Sequence, residues 1–73
     1  MERYDTAFLT RLLVCLHELA EEELGMLRGR RCDCICLVEG MIQSHHVDEQ
    51  FIQFMLHFAP AVKQRLYRCT PES

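Results

Sequence analysis

Apolar side chains recur at steps of three and four residues along most of this 73-residue chain, and that periodicity limits its fold most. The pattern occupies three segments, at about residues 5–28, 32–44 and 48–68. Such spacing places apolar groups on one face of an α-helix. We therefore expect an all-α fold with one long helix, one short helix and one helix kinked by Pro60.

The first segment has recognisable candidates for both of its ends. Asp5 or Thr6 is suited to cap the N-terminus, since short polar side chains accept hydrogen bonds from the first free backbone amides. Gly25 predicts a bend or an early stop, because glycine is a poor helix former. Gly29 is the favoured terminating residue, and Arg28 before it suits the negative end of the helix dipole.

The middle segment fits two patterns. Alternation of Cys32, Cys34 and Cys36 with Asp33 and Ile35 is a weak strand pattern. A helical pattern covers more residues and extends further, so we predict a helix with the apolar stripe Cys34, Ile35, Val38, Met41 and Ile42. Its more polar side then carries Cys32, Cys36, Glu39 and Gln43.

The third segment starts after the pair His45–His46. Asp48 is the predicted N-cap, flanked by Val47 and Ile52 in the positions of a hydrophobic staple. Pro60 should kink or restart the helix, which we expect to reach about Arg68. We expect one small domain over residues 1–73, with frayed ends at 1–4 and 69–73.

The apolar content is high for a chain of this size. Apolar residues make up 49% of the sequence and charged residues only 26%. So small a body cannot bury all of those side chains, so we expect an apolar surface that meets another chain. A homodimer would cover it, with Leu9, Leu13 and Leu16 as a dimer or core face.

Several functional classes are disfavoured by composition and motifs. No apolar run reaches the roughly 18 residues of a membrane span, and Met1–Asp5 does not resemble a signal peptide, so we expect a cytoplasmic protein. The sequence has no glycine-rich phosphate loop and no G-x-S-x-G motif. We therefore expect a protein that is not an enzyme and that needs no cofactor.

The five cysteines support one alternative function. Their odd number fits reduced thiols better than a disulfide framework. Zinc would be held by Cys32 and Cys36 with His45 and His46, in a metal- or redox-responsive regulator that also uses Cys34. The one-residue spacing is unusual for zinc, however, and only Cys32 and Cys36 converge on one side of a helix.

A basic turn at residues 28–31, Arg-Gly-Arg-Arg, is the single indication of nucleic-acid binding. Its cations could equally complement the negative end of the first helix. The net charge of −3 favours that second interpretation, so nucleic acid is not the expected partner.

An apolar cluster on the third segment indicates protein binding. Phe51, Phe54, Met55 and Phe58 lie close together, and Phe54 falls off the main apolar stripe. Met and Phe surfaces suit recognition of a partner's amphipathic helix. We expect a helical interaction module that binds and inhibits, regulates or escorts another protein. In size and helical composition alone, the chain looks like small helical chaperones and compact protein inhibitors.

Overall fold

The computed structural model describes residues 4–68, and every regular element in that range is helical. The elements are α1 (Thr6–Glu18), a 3₁₀ segment (Glu21–Leu27), α2 (Arg31–Ser44), α3 (Glu49–Phe58) and α4 (Pro60–Arg68). This confirms the all-α prediction. None of these helices is both long and apolar enough to cross a membrane. Of the expected frayed ends, residues 1–3 and 69–73 lie outside the described range.

The first predicted helix divides into two elements. Asp5 caps α1, where its Oδ1 accepts a hydrogen bond of 2.9 Å from the Phe8 N–H. The helix ends at Glu18 instead of reaching Arg28, because Leu19 and Ala20 adopt extended backbone angles. The 3₁₀ segment then follows, and its buried Leu24 and Leu27 continue the apolar periodicity after the α-helix has ended.

Gly25 provides the bend that the sequence predicted. Its φ of +62° lies in the region that favours glycine. A Cβ atom there would lie 2.7 Å from the carbonyl oxygen of Phe58 at the end of α3. The 3₁₀ segment therefore approaches α3 closely only because residue 25 has no side chain.

The middle segment is an α-helix, so its strand interpretation is wrong. Cys34, Val38 and Met41 are buried, and Ile35 and Ile42 pack partly against the core. The predicted polar side is exposed: Cys32, Cys36, Glu39 and Gln43. The helix terminates at His45, which adopts the left-handed conformation with φ +60° and ψ +25°.

Pro60 restarts the third predicted helix rather than kinking it. Asp48 caps α3 through a 3.1 Å hydrogen bond from the Phe51 N–H to its Oδ1. The helix ends at Phe58, and Ala59 leaves helical geometry with φ −132° and ψ +75°. Pro60 then occupies the first turn of α4, where its missing N–H has no helical partner to lose. Residues 4–68 thus form four α-helices and a 3₁₀ segment where three helices were expected.

The core is built around α1, which packs against α2 and α4. Leu9 and Leu16 are buried in it and Leu13 is partly buried, so this row is a core face. The 3₁₀ segment contacts α2, α3 and α4, and α3 also packs on α4. Within residues 4–68, α2 and α3 do not pack against each other. The space between them is the candidate functional site.

Candidate functional site

A groove of about 730 Å³ lies between α2 and α3, and the 3₁₀ segment contributes to its lining. This volume is within the range of about 300–1,000 Å³ that is usual for binding pockets. Its lining comprises Met26, Leu27, Arg30, Asp33, Cys34, Cys36, Leu37, Phe51 and Phe54. Leu27 and Cys34 are buried and supply the floor, while the other residues reach solvent to different degrees.

The rim of the groove exposes three large apolar side chains, one from each bordering element. Met26 is 70% exposed, Leu37 on α2 is 50% exposed and Phe54 on α3 is 46% exposed. Single exposed apolar residues are common on protein surfaces, but these three line one groove. We call Met26, Leu37 and Phe54 the apolar rim.

Phe54 is held in place by its aromatic neighbours on α3. Its ring centroid lies 4.7 Å from that of Phe58 in a tilted arrangement and 6.4 Å from that of Phe51 in a stacked one. His57 meets Phe58 edge-on at 4.7 Å. Aromatic pairs at these distances attract one another, so the Phe54 ring is oriented before any partner arrives.

The structure divides the four residues predicted to bind a partner. Phe51 and Phe54 line the groove, and Phe58 is half-buried beside Phe54. Met55 has no exposed surface and belongs to the core. It therefore anchors α3 from the inner side, because it lies one residue, or about 100° of helical turn, away from Phe54.

Two members of the apolar rim, Met26 and Leu37, were not identified from the sequence. Each is an apolar residue outside the buried stripe of its own element, the property that singled out Phe54. That property was a usable signal for Leu37, which follows the polar-side residue Cys36. It was not usable for Met26, because Met26 follows the bend predicted at Gly25, where helical spacing no longer indicates which face a residue occupies.

The groove also has charges on its lining. Arg30 and Asp33 are exposed, and neither side chain forms a hydrogen bond or ion pair with another residue in the 4–68 range. They are three positions apart at the start of α2 and so lie on neighbouring parts of its surface. Both are positioned to interact with whatever enters the groove.

Arg31, by contrast, is used within the fold. Its Nη1 donates hydrogen bonds to the carbonyl oxygens of Leu16 at 2.8 Å and His17 at 3.2 Å. Its Nη2 lies 3.3 Å from Oε1 of Glu21. A cation here satisfies free carbonyls at the negative end of α1, which is the structural role considered for the basic turn.

Glu21 completes this junction between elements. Its carboxylate accepts hydrogen bonds from the Gly29 N–H and from Arg31. The Gly29 amide, followed by the Arg31 guanidinium, holds the pKa of Glu21 below its usual value. The 3₁₀ segment is thereby tied to the chain entering α2, next to the groove.

The cysteines of α2 have different environments. Cys32 and Cys36 are exposed free thiols, whereas Cys34 is buried. Burial, with a smaller contribution from Asp33, raises the pKa of the Cys34 thiol, so it remains protonated at neutral pH. A protonated thiol is a poor nucleophile and a poor metal ligand.

The predicted zinc ligands do not converge. Cys36 and His45 are nine residues apart along and just beyond α2, which corresponds to about 13 Å at the rise of an α-helix. Zinc ligands lie only about 2.0–2.3 Å from the ion. Cys32, Cys36, His45 and His46 therefore do not form one site within this chain. Residues 4–68 contain no group of three or more His, Cys, Asp or Glu side chains placed to hold a metal.

Comparison with known proteins identifies no relative. No family model, no curated protein and no solved structure matches the chain. Its function must therefore be inferred from the groove, the apolar rim and the two charges beside them.

Proposed function

We propose that this chain is a non-enzymatic interaction module that binds an amphipathic helix of a partner protein in its groove. Binding would inhibit, regulate or escort the partner by covering the apolar face of that helix. The observation that carries the proposal is the apolar rim, because Met26, Leu37 and Phe54 surround a groove that is already open.

The energetics of the rim support a reversible complex. Fully burying an apolar side chain contributes about 1.5–3 kcal/mol, and roughly half of each rim side chain remains to be covered. The three together therefore contribute about 2–5 kcal/mol on binding. The partner's inserted side chains add a similar amount. The loss of translational and side-chain freedom on association offsets much of this gain, so we expect a weak and reversible complex.

The occupant is proposed to be a helix because of the shape and chemistry of the groove. Two of its walls are α-helices, and its exposed apolar residues would receive the i, i+3, i+4 and i+7 side chains of a helix laid between them. Arg30 and Asp33 would fix the direction of that helix through its own charges. In this proposal the chain acts in the cytoplasm without a cofactor, and its surplus apolar surface also supports homodimerisation.

The proposal is tested by photo-crosslinking in the cells that produce the protein. We would place p-benzoylphenylalanine at position 37 or, as a matched control, at position 14. Leu37 is 50% exposed and Val14 is 47% exposed, but only Leu37 lines the groove. We expect a specific protein adduct from position 37 that position 14 does not give.

Phe54→Glu supplies the quantitative arm of this test. The captured protein is purified, and its Kd is measured with the wild-type chain, Phe54→Glu and the control Val14→Glu. We expect Phe54→Glu to weaken binding about tenfold or more, because buried aromatic anchors carry much of the binding energy. Helicity measured by circular dichroism should persist, since Phe54 is 46% exposed.

Two results would contradict the proposal. One is equal loss of affinity in Phe54→Glu and Val14→Glu, which would place binding outside the groove. The other is unfolding of Phe54→Glu, which would make Phe54 a core residue.

A further inference from the structure

The groove carries one positive and one negative side chain, so its surface is electrostatically complementary to the same surface of a second copy. Arg30, the N-cap of α2, and Asp33 in the first turn of α2 are opposite in sign and have no ion-pair partner in residues 4–68. A two-fold interface brings the same surface of two molecules together, so that each residue i meets residue j of the other copy. If two α2 helices meet antiparallel about an axis midway between positions 30 and 33, each Arg30 faces the Asp33 of the other copy.

The apolar rim is complementary about the same axis. Leu37 lies about one turn beyond Asp33 along α2, and Met26 precedes Arg30 in the 3₁₀ segment. Met26 and Leu37 line the same groove, so two-fold pairing of that surface also brings Met26 of one copy to the groove of the other. Met26 is 70% exposed, and methionine is the unbranched, flexible side chain best suited to fill an irregular gap.

We propose that the groove is occupied by a second copy of this chain, with reciprocal Arg30–Asp33 ion pairs and each Met26 inserted in the opposite groove. The inference rests on the proposed function, since it names the partner of the same protein-binding groove. Each copy contributes a residue to the other's site. Any other protein helix must displace the second copy before it can bind.

Charge exchange tests this arrangement, with the dimer Kd measured by sedimentation equilibrium or native mass spectrometry under reducing conditions. Arg30→Asp alone places two carboxylates face to face, and Asp33→Arg alone places two guanidinium groups face to face. We expect each single variant to weaken self-association about tenfold or more, since like charges meet at two symmetric places.

Complementation separates a direct pairing from a general loss of structure. An equimolar mixture of Arg30→Asp and Asp33→Arg chains restores both ion pairs in a heterodimer. The double variant Arg30→Asp/Asp33→Arg restores them in a homodimer. We expect both to return to within about threefold of the wild-type Kd, with the single-variant effects shrinking as salt is raised.

Substitution of Met26 provides an independent arm, for use if a charge variant does not fold. Met26→Asp should weaken the dimer about tenfold or more by removing an apolar anchor and inserting a charge. Val14→Asp is its control, because Val14 is also exposed but lies outside the groove. Equal effects of the two substitutions would overturn the proposed dimer.

The remaining outcomes distinguish this inference from the proposed function. A monomeric wild-type chain, or single variants that dimerise like the wild type, overturns the inference. If position 37 nevertheless crosslinks a foreign protein sensitive to Phe54→Glu, the interaction module stands without the dimer. If position 37 crosslinks only a second copy and the charge exchange behaves as expected, the dimer stands and the proposal of a foreign partner fails.

Discussion

Single residues set the geometry of the groove without lining it, and Gly25 is the leading case. Its positive φ and its 2.7 Å Cβ approach to the Phe58 carbonyl oxygen both require glycine. The obstructing atom belongs to the backbone at the end of α3, so the contact cannot be relieved by rotating a side chain. Any larger residue must push the 3₁₀ segment and α3 apart.

We expect Gly25→Ala to lower the free energy of unfolding by about 3 kcal/mol or more, from backbone strain plus displacement of α3. Urea denaturation measures the change. The other glycines are its controls. Gly40 is helical with nothing near its Cβ position, so Gly40→Ala should stabilise by about 0.5–1 kcal/mol. A Gly25→Ala effect no larger than that of Gly29→Ala, whose site has φ +81° but open space, would contradict the close contact.

His45 is the second residue with an uncommon backbone conformation. It ends α2 with φ +60°, where glycine is the usual residue. We expect His45→Gly to raise the free energy of unfolding by about 0.5–1 kcal/mol, because glycine adopts this region without strain. Thermal and urea unfolding would measure it. His45→Ala, which keeps the strain, should give no gain, and equal stabilisation by both variants would disprove the explanation.

At the scale of elements, capping was predictable from the sequence and helix length was not. Asp5 and Asp48 both act as predicted, since an N-cap depends on a few adjacent residues. The residue at which α1 ends depends instead on contacts with residues that are distant in the sequence. Leu24 and Leu27 keep the helical spacing although they lie in a 3₁₀ segment, because periodicity reports burial and not backbone angles.

Arg31 is the residue that connects these elements, and its removal tests the connection. We expect Arg31→Ala to lower the free energy of unfolding by about 1–2 kcal/mol, since charge-assisted hydrogen bonds to Leu16 and His17 are lost. Arg30→Ala is the matched control, and its change should stay within about 0.5 kcal/mol. Both are measured by urea denaturation at low protein concentration. Equal effects would show that Arg31 does not hold the end of α1.

At the scale of the whole molecule, the sequence predicted the helical class and the buried faces but not the groove. The apolar stripes of α1, α2 and α3 could be read from local spacing. The groove exists because α2 and α3 are each held by other elements and leave a gap between them. No local pattern specifies which pair of helices stays apart, so Met26 and Leu37 could not be assigned to one surface in advance.

The separation of α2 from α3 determines how the width of the groove is controlled. Apart from their shared contact with the 3₁₀ segment, α2 packs on α1 and α3 packs on α4. The width of the groove is therefore set by this packing and not by the rim residues. Substitution of a rim residue changes the contact surface of the groove. Repacking of α1 against α2 changes the width of the groove and leaves that surface unaltered. The surface of the groove and its width therefore depend on separate sets of positions.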